Sequence, residues 1–417
     1  MATISQPTLP HVSPDPSAEP RMAKPPLGNG IALLTGGIDP PYVYGLSMEI
    51  VAQQIALEVV GSDALDRPEM HSTVGLRFIN LHGSSGNGGR LARVYEVLRA
   101  YLRLMVYAST AKPKIFHVLW NNKFPAFDRT LLTLWYKVCR KRIVFTAHNV
   151  NAAKRDGNDS WLNRVTLKIQ YRLVDHIFVH TAKMKTELLE EFGVADQAVT
   201  VIPFGINNSV PDTDLTPAEA RQRLGIGESD KTILFFGRMR PYKGLEYLVE
   251  AFHRLVSKDK NYRLIIAGET KKDTVQQVAA IQETIARGPA PDRVVQHFEF
   301  IADSDTELYF KAADVSVLPY TMVFQSGVLF LSFSFGLPVI ATEVGSLGDD
   351  IVAGENGFMC RPCDVEDLER VIEKYFESDL HRNLDLQRHE IRRQANAQHS
   401  WSEVGKRTRS VYERLPR

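Results

Sequence analysis

Cysteine is scarce in this chain, which has three among its 417 residues. So few cysteines cannot build the disulfide framework of a small secreted domain, and we expect a reducing compartment, the cytoplasm. Cys360 and Cys363 have the spacing of a redox pair or of half a zinc site. No second Cys or His pair is spaced to complete four zinc ligands, so we interpret both as incidental thiols.

Long apolar runs are also lacking. The longest largely apolar stretch, residues 327–341, is shorter than the ~20 residues of a membrane-spanning helix and is broken by Ser332 and Ser334, so we expect no transmembrane segment. A content of 44% hydrophobic and 24% charged residues excludes coiled-coil, collagen-like and wholly disordered chains. A globular chain of this length holds about twice the ~100–200 residues of one domain, which predicts two domains.

The chain has almost no net charge, at +1, but its charged residues are unevenly distributed along the sequence. Residues 1–205 hold 23 Lys and Arg against 17 Asp and Glu, whereas the rest of the chain holds 27 against 32. The basic excess is concentrated in residues 90–142, where twelve basic residues accompany two acidic ones. This basic stretch requires an explanation of its own.

The order of apolar patterns predicts an α/β fold. Residues 1–29 hold seven of the 22 prolines and lack the apolar core of a secretion signal, so we expect a disordered tail. From residue 30 onward, β-branched runs alternate with amphipathic stretches, as in βαβ units with a parallel sheet. The first series occupies residues 30–205, with a first helix from about 45 to 59 and strands at 31–35, 74–81, 115–120, 143–146, 177–180 and 199–203.

A second series follows a polar linker at 207–217 and gives a second domain over residues 206–390. Its predicted strands lie at 232–236, 264–267, 294–298, 315–319 and 338–341. Residues 391–417 form a last amphipathic helix, which we expect to cross back to the first domain. Two doubly wound, Rossmann-like domains would then face each other across a cleft at the carboxyl ends of their strands, where such folds bind ligands.

Two cations follow the first strand of the second series. Residues 233–236 run straight into Gly237 and Arg238, and Lys243 comes five residues after Arg238. A forked guanidinium and a mobile ammonium beside a glycine suit a diphosphate, which the first grips bidentately and the second meets as a point charge. Position alone leaves open the alternative that both are solvated loop residues.

A second anion site is predicted at the start of a helix in the same series. Gln325, Ser326, Gly327 and Val328 follow the strand at 315–319 and open an apolar helix. The first turn of a helix has free amide groups and the positive end of the helix dipole, and both favour an anion. A role for Ser326 as an N-cap is compatible with this interpretation, because the other amides stay available.

The ordered motifs of the chain resemble the glycosyltransferase family 4 enzymes, which have two Rossmann-like domains in the B-type glycosyltransferase fold and use nucleotide-sugar donors. The second half resembles the family's donor domain through FGR with KG at Lys243, followed by LIIAGE, YFKAAD, FGLPVIAT and VGS. The first half contributes TAHN, DHIFVH and VIPFGI. Each motif alone is weak, but the ordered set spans residues 30–415.

The resemblance implies roles for the matching residues. Arg238 and Lys243 neutralise the donor diphosphate, the amides after Ser326 hold it, and His148 lies beside the transferred sugar. Preorganised cations and dipoles stabilise the charge that develops on the departing phosphate, so no metal and no other cofactor is expected. Retention of anomeric configuration is typical of the family. A structural role is the alternative for His148.

One departure from the family concerns recognition of the donor. Many members carry two glutamates eight residues apart, one contacting the donor sugar and the other the ribose. Val323 and Leu331 occupy those places here, and neither side chain accepts a hydrogen bond. Gln325 and Glu343 are candidates to replace them. The pattern resembles a branch of the family without these acids, so we do not infer inactivity.

The first domain is expected to hold the acceptor, with Gly36 and Gly37 on the acceptor side by position. For the basic stretch at 90–142, one interpretation is a helix packed on the sheet with a solvated basic face. The other is a surface for anionic headgroups, at ~1 kcal/mol per side chain near a membrane, because acceptors in the family are often lipid-linked. No nucleic-acid motif accompanies it. The apolar face of this helix comprises Leu91, Val94, Leu98, Leu102 and Met105.

The leading hypothesis is a retaining, hexosyltransferase-type enzyme that moves a sugar from a UDP- or GDP-linked donor to a saccharide or lipid-linked acceptor. We expect it to act in cell-envelope or exopolysaccharide synthesis, in the cytoplasm or on the inner face of the membrane. The alternative is a noncatalytic nucleotide-sugar-binding or scaffolding subunit, which Val323 and Leu331 motivate. A dinucleotide-dependent oxidoreductase is a weaker alternative, since no Gly-x-Gly-x-x-Gly follows a strand.

Overall fold

The computed structural model describes residues 30–36, 39–81, 90–206, 208 and 210–415. The predicted tail at 1–29, Gly37 and the glycine-rich turn at 83–89 lie outside these residues. The side chains of Arg90, Leu91 and Arg93 are not described either. Within the described chain, two parallel sheets with helices packed on them confirm the predicted α/β class.

The first sheet has seven parallel strands in the order β3-β2-β1-β4-β5-β6-β7. The strand order reverses between β1 and β4, and such a switch point opens a crevice at the carboxyl ends of the strands. The strands are β1 Ile31–Leu34, β2 Leu57–Gly61, β3 Leu76–Asn80, β4 Ile115–Val118, β5 Arg142–Thr146, β6 His176–Val179 and β7 Val199–Val201.

The second sheet has six parallel strands in the order β10-β9-β8-β11-β12-β13, with its switch point between β8 and β11. Gly237 and Lys243 follow β8, and Ser326 follows β11, so both predicted anion sites lie at this switch point. The strands are β8 Lys231–Phe236, β9 Tyr262–Ala267, β10 Val294–His297, β11 Val315–Leu318, β12 Val339–Thr342 and β13 Gly357–Cys360.

Helices connect the strands in both domains, and none in the described part of the chain combines the length and apolar character that crossing a membrane requires. A π-helical turn at Asp128–Leu132 joins α4 to α5. The helices are α1 Pro40–Ala52, α2 Pro68–Ser72, α3 Arg90–Thr110, α4 Pro125–Phe127, α5 Thr133–Val138, α6 Ala152–Arg155, α7 Trp161–Leu173, α8 Ala182–Phe192, α9 Pro217–Arg223, α10 Leu245–Lys258, α11 Val275–Arg287, α12 Asp303–Ala312, α13 Gly327–Ser334, α14 Val365–Glu377, α15 Asp379–Arg382, α16 Leu384–Gln398 and α17 Trp401–Arg414.

The first helix differs from its prediction. It begins at Pro40 because the carboxylate of Asp39 accepts a hydrogen bond from the amide of Tyr42 at 3.3 Å and proline suits the first turn. It ends at Ala52, and residues predicted to continue it form β2 instead. A short apolar run suits either element, and pairing with β1 and β3 selects the strand here. Strand β13 was likewise not predicted.

The last helix packs into the core of the first domain, although it follows the second domain in sequence. Val404, Val411 and Tyr412 of α17 are buried together with residues of α1. The Tyr412 hydroxyl lies 2.6 Å from Nδ1 of His117 in β4. Helix α16 packs in the second core through Ile391 and Ala395, so α17 is the helix that returns to the first domain.

Helix α3 packs on the first sheet through a different face from the one its apolar pattern favours. Ala100, Tyr101, Leu104 and Ala108 are buried, and the two alanines permit close approach to the strands. Val94, Leu98 and Leu102 are 52–64% exposed. The helix therefore packs on the sheet with Arg99 and Arg103 exposed, as one interpretation predicts, but the face predicted to make that contact is not the buried one. An apolar stripe runs along the outside of the helix.

Candidate active site

Residues of both domains line a cavity of about 310 Å³ at the carboxyl ends of the strands. The second domain contributes Lys243 and the segment around Ser326, both of which follow strands at its switch point. The first domain contributes Tyr42 from α1 and Arg155 from the end of α6. Trp401, the first residue of α17, closes the same cavity. The cavity is the place where a ligand would touch both domains.

Lys243 is 6% exposed, and its ammonium donates to the carbonyl oxygen of Phe236 at 3.3 Å. No carboxylate within the described residues forms an ion pair with it. Burial, with the charges of Arg238 and Arg240, lowers the pKa of Lys243 to about 7. A buried cation without a counter-charge is costly, and an anion in the cavity would both stabilise its charge and raise its pKa.

Gly237 permits the ammonium and the first turn of α13 to come together. Its φ of +100° lies in the region that favours glycine, and a Cβ there would lie 2.8 Å from Nζ of Lys243 and 3.3 Å from Cγ2 of Val328. The structure thus brings Gly237, Lys243 and Val328 together. Arg238 has a side chain that is 55% exposed, and its Nε lies 3.5 Å from Oε2 of Glu269. It does not line the cavity.

The start of α13 leaves backbone amides available. Ser326 occupies the N-cap position, but its side chain makes no capping hydrogen bond, and its Oγ lies 3.3 Å from the hydroxyl of Tyr320 instead. Gly327 borders open space, because a Cβ at this residue would meet no atom within 4 Å. The Leu329 amide donates to the carbonyl oxygen of Ser326 at 3.1 Å, but the N–H groups of Gly327 and Val328 can point at an anion beside Lys243.

His148 does not line the cavity but packs behind Tyr42, which does. Its ring stacks on Trp120 at 4.1 Å and meets the edge of Tyr42 at 4.7 Å. Nδ1 lies 3.0 Å from Nε2 of His180, and Nε2 is buried without a hydrogen-bond partner in the described chain. Burial and the neighbouring His180 lower the pKa of His148 well below its usual range, so the imidazole is neutral.

The other candidates occupy different environments. Val323 and Leu331 line the cavity as buried apolar walls, and Gln325 lies between them in sequence and also lines it. Glu343 is exposed and outside the cavity. Gly36, at the end of β1, adopts φ +61°, and a Cβ there would lie 2.6 Å from the carbonyl oxygen of Trp120. It does not line the cavity either.

Several cavity residues have no signal in the local sequence. The Arg155 guanidinium of the first domain lies 4.7 Å from the ring centre of Tyr242 in the second domain, so this contact joins the two domains. The Nε of Arg155 also lies 2.7 Å from Oδ1 of Asp156. Asp39 and Trp401 also line the cavity. The asparagine that caps α6, Asn151, is a local signal for the helix that carries Arg155. No local pattern indicates that Trp401 would reach this site.

The two clustered cysteines lie in unlike surroundings. Cys360 is buried, its Sγ donates to the carbonyl oxygen of Ala341 at 3.5 Å, and burial raises the pKa of its thiol to about 12. Cys363 is exposed. A thiol with a raised pKa is a poor nucleophile and metal ligand, which disfavours either role for Cys360. Across the described residues, no group of three or more His, Cys, Asp or Glu is placed to hold a metal ion.

Two Rossmann-like domains that meet at a cavity between the carboxyl ends of their strands are the architecture of the B-type glycosyltransferase fold, which solved glycosyltransferase structures share with this chain. Residues 41–210 match the family model described as Glycosyltransferase Family 4, and residues 230–378 match the model described as Glycosyl transferases group 1. The chain belongs to this family and is a glycosyltransferase.

Curated relatives have different substrates in their names. The chain is 25% identical over 248 residues to a D-inositol 3-phosphate glycosyltransferase of Corynebacterium aurimucosum, and the match covers 58% of this chain and 59% of the relative. It therefore spans less than two thirds of that relative. Glycogen synthase of Mycobacterium tuberculosis is 27% identical over 333 residues, which cover 77% of this chain and 74% of that protein.

Solved structures share the fold over nearly the whole chain. Sucrose-phosphate synthase of Thermosynechococcus elongatus has a TM-score of 0.73 at 19% identity, covering 94% of this chain and 99% of that one. The Anabaena protein HepE, solved with UDP and glucose, has a TM-score of 0.72 at 16% identity, covering 93% and 100%. At these identities the likeness establishes the two-domain architecture.

Proposed function

We propose that this protein transfers a sugar, with retention of configuration, from a UDP- or GDP-linked donor to a saccharide or lipid-linked acceptor. The observation that carries the proposal is the buried ammonium of Lys243, which has no counter-charge within the described chain. It lies beside the Gly327 and Val328 amides of α13 in a cavity that both domains line. HepE, a protein of the same fold, was solved with UDP and glucose. Saccharide or lipid-linked acceptors would place the enzyme in envelope or exopolysaccharide synthesis.

In the proposed reaction, the bond between the sugar and the donor phosphate breaks as the acceptor hydroxyl attacks from the same face. The departing diphosphate gains negative charge, which Lys243 and the α13 amides stabilise more strongly than they stabilise the intact donor. Arg238 assists from the exposed side of the same loop. The acceptor proton passes to the departing phosphate oxygen, and a neutral His148 orients the sugar through Tyr42. No metal cofactor is required in this scheme.

The transfer is tested by measuring release of UDP or GDP from a panel of nucleotide sugars, with saccharides and lipid-linked saccharides as acceptors. We expect acceptor-dependent release of one nucleotide, undiminished by EDTA, and a product that keeps the anomeric configuration. Binding of donors without turnover across the panel would favour the noncatalytic alternative. Loss of activity with EDTA that Mg²⁺ restores would contradict the metal-independent scheme.

We also propose that the first domain contacts an anionic membrane through α3 and α5. The exposed stripe of α3 lies beside α5, whose Trp135 indole donates to the carbonyl oxygen of Met105 at 3.1 Å. Helix α5 adds exposed Leu134 and Val138. The same stretch of sequence holds exposed cations without an ion pair in the described chain: Arg103, Lys112, Lys114, Lys123 and Arg140. Apolar side chains flanked by cations suit the boundary of an anionic bilayer.

Other basic residues of the same stretch serve the fold. Lys137 and Arg142 pair with Asp175, and the Lys141 ammonium donates to the carbonyl oxygens of Ala111 and Pro113. Because cations outnumber the one exposed acid of this stretch, Glu96, a second copy of the chain would bring like charges together in a symmetric dimer. Charge complementarity therefore favours an anionic bilayer over a second copy.

Flotation with vesicles tests the membrane contact. Vesicles with 30% anionic lipid should bind the wild type, and Leu98→Ser with Leu102→Ser should reduce the bound fraction by about tenfold because the inserted area is lost. Leu386→Ser removes an exposed leucine of the second domain and serves as the matched control. Equal flotation of all three proteins, or equal binding to neutral vesicles, would contradict the proposal.

A further inference from the structure

Arg155 lines the cavity from the first domain and is held on two sides. Its Nε and Nη2 donate to the two carboxylate oxygens of Asp156 at 2.7 and 3.0 Å, which fixes the plane of the guanidinium. Its Cζ lies 4.7 Å from the ring centre of Tyr242 in the second domain. A long side chain that is already fixed loses little further conformational freedom when it binds a ligand.

Part of this guanidinium remains available for a ligand. An arginine has five N–H donors and no acceptor, and Asp156 takes one donor from Nε and one from Nη2. Nη1 has no hydrogen-bond partner within the described chain, and it is not buried. The side chain of Arg155 is 18% exposed and lines the cavity. Its remaining N–H groups can therefore donate to a ligand, and an anionic acceptor would form the stronger bond.

Arg155 reaches the loop that carries Lys243. Tyr242, which the guanidinium contacts, directly precedes Lys243 in the sequence. The carbonyl oxygen of Tyr242 accepts from the amide of Thr321 at 2.8 Å, which ties this loop to the segment before α13. The cavity that Arg155 and Lys243 both line is small, at about 310 Å³. We therefore expect a diphosphate held by Lys243 and the α13 amides to come within reach of Arg155.

A second cation of the first domain also crosses to the second domain, but outside the cavity. Lys183 of α8 donates to the carbonyl oxygen of Gly345, and its Nζ lies 3.9 Å from Oδ1 of Asp349. Lys183 does not line the cavity. Both cations join the domains, and Arg155 is the one of the two that is also placed to touch a ligand.

We propose that Arg155 is a further catalytic residue, which donates from Nη1 to the diphosphate as this group departs, and that Asp156 and Tyr242 are its positioning residues. This assignment rests on the proposed function, because it requires a nucleoside diphosphate sugar in the cavity. When the bond between sugar and phosphate breaks, its electron pair stays on the phosphate oxygen, the acceptor oxygen bonds to the same sugar carbon, and the acceptor proton passes to the phosphate oxygen. Arg155 keeps its own protons and meets the developing charge from the first domain, so it stabilises the departing group more than the intact donor.

The test measures kcat for nucleotide release with the donor and acceptor that the wild type prefers, together with dissociation constants for UDP, GDP and the intact sugar nucleotide. We expect Arg155→Met to lower kcat about a hundredfold, as loss of one donor to a developing oxyanion does, and to weaken binding of the free nucleotide about tenfold. The intact sugar nucleotide should bind less than about threefold more weakly, because its bridging oxygen does not yet carry the new charge.

Lys183→Met is the matched control, because it removes a cation that joins the domains outside the cavity. We expect it to change neither kcat nor the affinity for UDP and GDP by more than about twofold. Melting temperatures of the variants confirm that each is folded under the assay conditions.

A double variant tests the role of the tyrosine ring. Tyr242→Leu keeps Arg155 but removes the ring that it contacts, and we expect kcat to fall about tenfold because the guanidinium loses its fixed position. Arg155→Met with Tyr242→Leu should be no slower than Arg155→Met alone, since the ring acts through the guanidinium. Additive losses would overturn the positioning role of Tyr242.

Three other results overturn the catalytic assignment alone: an unchanged kcat in Arg155→Met, equal losses of kcat in Arg155→Met and Lys183→Met, or a raised KM for the acceptor with unchanged affinity for UDP and GDP. The second would reduce Arg155 to docking the domains, and the third would assign its contact to an anionic group of the acceptor. A wild type that releases no nucleotide from any donor overturns the proposed function and the assignment with it.

Discussion

Replacing Lys243 with methionine is expected to weaken donor binding strongly and, at the same time, to stabilise the protein without ligand. Methionine keeps most of the volume of the side chain but carries no charge that burial would desolvate. The donor diphosphate would lose its buried counter-charge, which corresponds to a loss of affinity of roughly a hundredfold or more. The melting temperature should rise by about 2–4 °C for each kcal/mol gained.

The pH dependence of this stabilisation follows from the pKa of Lys243, which burial and the neighbouring arginines lower to about 7 in the folded state. Between pH 7 and the ordinary pKa of lysine, the unfolded chain binds a proton that the folded chain does not. This group therefore makes wild-type stability rise with pH across that window. The advantage of Lys243→Met should be largest at or below pH 7 and should shrink toward pH 10.

Calorimetric melting at several pH values and titration with UDP and GDP measure both effects. Lys406→Met, an exposed lysine of α17, is the control and should change neither quantity. Undiminished nucleotide affinity in Lys243→Met would remove the observation on which the proposed function stands. A lower melting temperature below pH 7 would show that the ammonium stabilises the ligand-free fold.

Trp401→Ala is expected to cost about 3–5 kcal/mol of folding free energy, the usual range for truncating a large packed aromatic side chain. The indole is wedged between two glycines: a Cβ on Gly45 would lie 2.3 Å from its Cε2, and one on Gly205 would lie 2.5 Å from the same atom. Its Nε1 donates to the carbonyl oxygen of Ile206 at 2.8 Å. We expect transfer activity to fall at least tenfold, because the indole also forms part of the cavity wall.

Denaturant unfolding and nucleotide-release rates test this second prediction. Trp161→Ala is the matched control, since Trp161 is 77% exposed and should lose under about 1 kcal/mol. Similar destabilisation of the two variants would contradict the stabilising role of the Trp401 indole between Gly45 and Gly205. Unchanged transfer activity in Trp401→Ala, at a temperature where the variant is folded, would show that the wall at this point is dispensable.

The positions of several cavity residues can be predicted from the sequence alone because they depend on local chemistry. Short β-branched runs predict eleven of the strands, and the residues that follow such runs lie at the carboxyl edge of a parallel sheet. This is why Gly237, Lys243 and Ser326 could be assigned to one edge before any contact was known. The ordered motifs likewise identify the family, whose models match both halves of the chain.

Where the same local pattern suits more than one element or packing face, only the folded structure shows which one forms. Strand β2 and helix α1 both begin from apolar runs, and only pairing with β1 and β3 separates them. Helix α3 carries two apolar stripes, and the sheet takes the one with Ala100 and Ala108 because small residues allow closer packing. The exposed stripe, and the surface it forms with α5, follow from that packing.

Local chemistry in the sequence is therefore sufficient to predict the parallel α/β architecture, the family and the two loops proposed to bind an anion, since each depends on a few neighbouring residues. Tertiary contacts are needed to make the site complete. Tyr42, Arg155, Gln325 and Trp401 come from distant parts of the chain, and neither period nor spacing links them. Their meeting depends on how two cores and one crossing helix pack, which is a property of the whole chain.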